Sequence, residues 1–128
     1  MKSANIFLYK SGAAKLGDLN VSKIAKDGML STQTGTPYYA APEVWKDNPY
    51  DLKSDIWSFG CVIYEMCCLV PPFQADDMGG LFKKVLRGNY AAIPTHFSMD
   101  MRQLIKAMLN VQSEQRPTVD EILQLTYV

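Results

Sequence analysis

No block of like charge, no uninterrupted apolar run of membrane length and no paired cysteine motif occurs in this chain of 128 residues. The 13 basic and 13 acidic residues cancel and are scattered, so nothing gives the chain a general attraction to nucleic acid or anionic lipid. The longest apolar run, residues 61–73, is interrupted by Glu65 and broken by Pro71-Pro72. It falls short of the ~20 residues a bilayer span needs. Cys61, Cys67 and Cys68 all lie in that run, with no C-x-x-C spacing and no histidine nearby. That excludes a zinc site and reads as buried thiols in a reducing compartment. Met1-Lys2 leads into a polar hairpin rather than an apolar leader. Internal repeats and low-complexity tracts are absent.

What is present is 48% hydrophobic side chains, enough for one core in a chain too short for two domains. Residues 6–9 and 14–16 flank the turn-forming Lys10-Ser11-Gly12 and predict a short β-hairpin. Residues 18–43, rich in Gly, Ser, Thr and Pro and without helical period, predict a long irregular loop of the kind that is functional or disordered. Residues 54–69, apolar nearly all round, predict a core helix surrounded by protein, with Ser54 or Asp55 at its cap. Further helices are expected over 81–86, closed by Gly88; over 101–109, begun near Ser98; and over 119–125, opened by Thr118 with Glu121 in capping-box spacing.

At the mouth of the hairpin stand a cation, an amide and a carboxylate: Lys2, Asn5 and Asp18. Phosphoryl transfer requires a divalent metal held against phosphates, a cation for developing charge and an orienting group for the attacking hydroxyl. Magnesium prefers oxygen ligands such as a carboxylate and an amide oxygen. The trio has those types, yet three solvated side chains would look the same.

An ordered series further along discriminates: "GTPYYAAPE" at 35–43, "SDIWSFG" at 54–60 and "QRP" at 115–117. With these, the chain resembles the eukaryotic protein kinases over residues 2–123. The resemblance implies a mainly α fold, the large C-terminal lobe of a protein kinase, incomplete, with one short β-hairpin and a long activation segment. Lys2 and Asn5 match the end of H-R-D-x-K-x-x-N, which implies a lysine on the γ-phosphate and an asparagine on a metal ion. Asp18-Leu19-Asn20 matches the magnesium-binding D-F-G, with Leu and Asn in place of Phe and Gly; Asn tolerates positive φ better than most residues. Glu43 closes the activation segment in A-P-E and is implied to pair with Arg116, either buried or as a surface ion pair of little worth. Phe7 is implied to lie under the adenine ring, with Val62 and Met66 beneath it. Asp55 is implied to hold the catalytic loop from below.

Lys2 in its position and Thr36 before Pro37 resemble the serine/threonine branch, with Lys2 and Thr36 at the catalytic centre. Within that branch, "PPFQADDMGGLFKKVLRGNYAAIP" at 71–94 is similar to the NIMA-related kinases, although that family has Ser-Pro-Glu where Ala41-Pro42-Glu43 stands here. Thr32, four residues before Thr36, stands at their activating phosphorylation site. The resemblance thus implies ATP and magnesium as cofactors, proteins with serine or threonine as substrates, regulatory or scaffold proteins as further partners, and neither nucleic acid nor membrane. It also implies a cytoplasmic location with cytoskeletal or ciliary association.

Absent from residues 1–128 are the His-Arg-Asp that precedes the lysine, the glycine-rich loop, the strand lysine and the helix glutamate. The whole chain is therefore expected to be a partial kinase domain, from the end of the catalytic loop to the last helix, inactive alone and weak for ATP. Asp55, lacking the loop amides it is implied to bind, is expected as a costly buried carboxylate that leaves the isolated chain molten. The competing reading is a non-catalytic docking module or pseudokinase fragment.

Overall fold

The helix at the centre of the molecule is capped by Asp51, three to four residues ahead of the expected cap. In the computed structural model, which describes residues 1–17, 37–49 and 51–126, Asp51 Oδ1 accepts the Ser54 N–H at 3.1 Å, and Ser54 Oγ accepts the Asp51 N–H at 3.5 Å. This reciprocal capping box starts the helix at Leu52, so Ser54 occupies its third position and Asp55 lies inside it. We number the elements in chain order: β1 (Ile6–Leu8), β2 (Ala14–Leu16), α1 (Pro42–Trp45), α2 (Leu52–Cys68), α3 (Met78–Arg87), α4 (Met99–Met108) and α5 (Val119–Leu123). The described part is thus helix-rich, with a single two-stranded antiparallel sheet.

Local chemistry explains each boundary. The hairpin reverses at Gly12, whose φ of +85° favours glycine, and pairs Ile6 with Leu16, Phe7 with Lys15 and Leu8 with Ala14. Helix α1 is a single turn whose first two residues fall in the stretch expected to be irregular; Pro42 occupies its first position, where its missing N–H costs nothing. Helix α3 starts three residues earlier than expected because Asp77 accepts the Gly80 N–H at 2.6 Å, which offsets the weak propensity of Gly79-Gly80; it ends at Gly88, φ +61°. Ser98 caps α4, and Thr118 with Glu121 forms the capping box of α5, which ends two residues before the expected limit.

The core lies where α2, α3 and α4 meet the 73–93 segment. Trp57, Phe73, Val85 and Met108 are fully buried, and Trp57 stacks on Phe73 with ring centroids 5.3 Å apart and planes 7° off parallel. Gly60 lets α4 approach α2: a Cβ there would stand 2.9 Å from Met108 Cβ and 3.0 Å from Leu109 Cδ2. As expected of a helix surrounded by protein, α2 is buried over most of its circumference, from Ser54, Ile56 and Trp57 to Cys61, Val62 and Tyr64; within it Leu52 and Met66 are exposed, Met66 by 68%. Among the described residues, no helix is long and apolar enough to cross a membrane.

Candidate active site

Lys2, with extended backbone, enters a 3-10 turn over Ser3–Asn5, closed by the Asn5 N–H on the Lys2 carbonyl at 3.0 Å. The Gly17 N–H then donates to the Asn5 carbonyl at 2.8 Å. The hairpin therefore returns the chain to Asn5 one residue before Asp18. Asp18 itself lies outside the described residues, as do Thr32 and Thr36. Lys2 is exposed and Asn5 half-buried. Among the described residues no group of three His, Cys, Asp or Glu could hold a metal ion. The Asn5 amide oxygen is of the type magnesium accepts, but a cation here would need oxygens beyond the described residues.

Phe7 is 53% exposed, its ring edge against Gly17, where a Cβ would stand 2.6 Å from Cε2. Val62, on α2, is buried, and Met66 is exposed.

A hydrogen-bonded chain that the sequence reading missed joins this turn to the core. Tyr39 Oη donates to Glu65 Oε2 at 2.7 Å and lies 3.0 Å from Ser3 Oγ, while Ser58 Oγ donates to the Tyr39 carbonyl at 2.9 Å. Burial, opposed by the Ser3 hydroxyl and reinforced by Glu65, raises the Tyr39 pKa, so the phenol stays a donor at neutral pH. The available signal was Glu65, the one carboxylate interrupting the apolar run.

Glu43 and Arg116 meet as a two-pronged pair: Nη1 to Oε1 at 2.7 Å and Nη2 to Oε2 at 2.8 Å, with the side chains 0% and 13% exposed for Arg116 and Glu43. Both groups make further hydrogen bonds. Arg116 Nε donates to the Asn110 carbonyl at 2.7 Å, Nη1 to the Lys53 carbonyl at 2.9 Å, and Ser54 Oγ to Glu43 Oε1 at 2.6 Å. Lys53 Nζ donates in return to the Arg116 carbonyl. The guanidinium also lies 5.1 Å from the Trp57 ring centroid. A surface ion pair, the alternative left open by the sequence, does not describe this arrangement. The pair pins the start of α1 to the start of α2 and to the segment after α4.

Burial alone would raise the Glu43 carboxyl; the Arg116 and Ser54 hydrogen bonds outweigh it, and the group lies below the ordinary glutamate value. Because the folded pKa is lower than the unfolded one, this contribution is fully present above the unfolded value of about 4.3 and is lost as pH falls through the folded value. Urea midpoints measured from pH 7 to pH 3 are expected to fall steeply below pH ~4.3. A Glu43→Gln variant, weaker at neutral pH, should fall less over the same interval; equal slopes would remove Glu43 from the acid response.

Asp55 departs from its expected setting. Its side chain is 45% exposed, with Oδ1 3.9 Å from the Met1 ammonium. Half-exposed in the first turn of α2, it does not carry the desolvation cost of a buried carboxylate, and that ground for a molten chain falls away.

Comparison with known proteins accords with this geometry. Residues 1–128 match the protein kinase domain family. The chain is 43% identical over 131 residues to serine/threonine-protein kinase Nek5 of Mus musculus, covering 100% of this chain and 21% of that protein. It is 42% identical over 134 residues to the probable serine/threonine-protein kinase nek3 of Dictyostelium discoideum, covering 100% and 12%. With putative serine/threonine-protein kinase A of Trypanosoma brucei brucei it shares 40% over 132 residues, covering 100% and 31%. The chain thus spans less than a third of the length of these curated relatives. It belongs to the protein kinase family, with its similarity running to the NIMA-related serine/threonine kinases.

Proposed function

We propose that this chain forms the large-lobe part of a serine/threonine protein kinase that transfers the ATP γ-phosphate to protein hydroxyls with magnesium. The observation that carries the reading is the Gly17 N–H bond to the Asn5 carbonyl. It brings the backbone of Asn5 to the strand end that Asp18 follows in sequence, and Lys2 is one 3-10 turn away. In this reading Asn5 and Asp18 supply metal-ligand oxygens, Lys2 and Thr36 orient the γ-phosphate and the substrate hydroxyl, and Phe7 offers its exposed ring to the adenine. A bound magnesium ion would neutralise charge on the phosphates. Glu43, Asp55 and Arg116 hold the framework. Residues 1–128 contain no His-Arg-Asp, and alone they are proposed to be inactive.

The test is phosphate transfer from ATP to a serine-containing protein by the full-length protein. Loss of a metal ligand removes several kcal/mol of charge stabilisation, so Asn5→Ala should lower kcat roughly 100-fold or more. Activity unchanged by Asn5→Ala, or absent from the wild type, would favour a docking module without phosphotransfer.

Thr32 is proposed as the activating phosphorylation site, where roughly −1.5 to −2 added charge would order the segment by pairing with cations. Phosphopeptide mapping of the active full-length protein should find Thr32 occupied. Occupancy of Ser31 or Thr34 with Thr32 unmodified would move the site. A cytoplasmic place beside cytoskeletal or ciliary partners belongs to the same reading.

A further inference from the structure

The C-terminal end of α3, the chain that follows it, and α4 border a groove of about 730 Å³ that no residue of the Lys2–Asn5 turn lines. Three cations line it: Arg87 from the last turn of α3, and Arg102 and Lys106 one turn apart on α4. None of its lining residues is acidic. Over the chain acids and bases balance at 13 each, so the groove concentrates one sign locally.

The cations are not neutralised by their surroundings. Arg102 Nη2 donates to the carbonyls of Thr95 at 2.7 Å and Phe97 at 3.0 Å. These neutral acceptors fix the guanidinium in place while its charge remains available. The side chains of Arg87 and Lys106 are exposed and, among the described residues, take part in no hydrogen bond or ion pair. Beside them the lining combines the uncharged amides of Asn110, Gln112 and Gln115 with an apolar part that includes Tyr90, Ala92 and Val111. Like charges gathered along a partly apolar cleft create a positive potential that an anion with an apolar body would relieve.

We propose that this groove docks an acidic peptide segment of a partner protein. Its carboxylates are placed among Arg87, Arg102 and Lys106, and one apolar side chain rests against Tyr90, Ala92 and Val111. The apolar lining favours a peptide over a nucleic-acid backbone, which would require cations along its whole track.

The probe is a nonapeptide library with leucine fixed at the centre and the flanking positions randomised, applied to the full-length protein. Asp and Glu should be enriched several-fold over Asn and Gln at the flanking positions. The affinity of the best acidic peptide should fall at least about tenfold in the Arg87→Glu/Lys106→Glu double variant and weaken with added salt. Both substituted side chains are exposed, and neither belongs to the proposed catalytic site, so phosphate transfer to a control substrate reports that the variant is folded. Enrichment without acidic residues, or acidic enrichment unchanged in the double variant, would overturn the proposal. Displacement of the peptide by an equimolar thymidine oligonucleotide would assign the groove to nucleic acid and overturn it equally.

Discussion

Arg116→Ala is expected to cost the fold about 3–5 kcal/mol, because it leaves the Glu43 carboxylate largely buried without its counter-charge. The number follows from the asymmetry of buried pairs. Removing one member strands the other, whereas replacing both with apolar side chains of similar size removes two desolvation costs together. Arg116→Met combined with Glu43→Leu should therefore cost clearly less than the sum of the single substitutions, though more than nothing, since the Asn110 and Lys53 carbonyls and Ser54 Oγ also lose partners. Arg116→Lys should rescue poorly: an ammonium cannot reproduce the parallel bonds to both carboxylate oxygens together with the bond to the Asn110 carbonyl. Urea unfolding followed by the fluorescence of the two tryptophans measures each of these variants. A cost for Arg116→Ala below about 1 kcal/mol, the range of an exposed pair, would show that the pair is not the anchor described.

Trp57→Ala should be comparably damaging, at about 3–5 kcal/mol, while Trp57→Phe should cost under about 1.5 kcal/mol. The difference rests on the indole nitrogen. Trp57 is fully buried between Phe73 and the Arg116 guanidinium, yet its Nε1 has no hydrogen-bond partner among the described residues. Alanine removes the stack, leaves a cavity and takes away the ring facing Arg116. Phenylalanine keeps an aromatic face against Phe73, and the polar atom it deletes carries a burial penalty of about 1–3 kcal/mol that vanishes with it, offsetting the lost volume. Equal costs for the two variants in urea unfolding would mean that the indole N–H makes a bond the fold depends on.

The features legible in the sequence are those whose cause is local. The hairpin turn at Gly12, the end of α3 at Gly88, the cap of α4 at Ser98 and the Thr118–Glu121 box each depend on a backbone conformation or a hydrogen bond within a few residues. The kinase resemblance rested on motifs of the same short range, in order. Asp51 and Asp77 were equally local caps, but the helices they open begin with exposed Leu52 and with Met78-Gly79-Gly80, which carry no apolar period to announce a helix. The types of residue placed around Lys2 and Asn5 were likewise readable. What they touch was not.

Composition determined by itself that this chain has apolar residues enough for a core and no net charge, and its motifs determined its family. Only the tertiary structure decided that Glu43 and Arg116, 73 residues apart, are buried together, that Tyr39 joins Ser3 to Glu65, and that Asp55 and Met66 face outward from a helix whose apolar residues run nearly all round. The physical reason is that periodicity specifies which residues share a face, whereas burial and pairing depend on which other element covers that face. That is settled by the packing of segments distant in sequence, Gly60 against Met108 and Trp57 against Phe73, and no local propensity contains it.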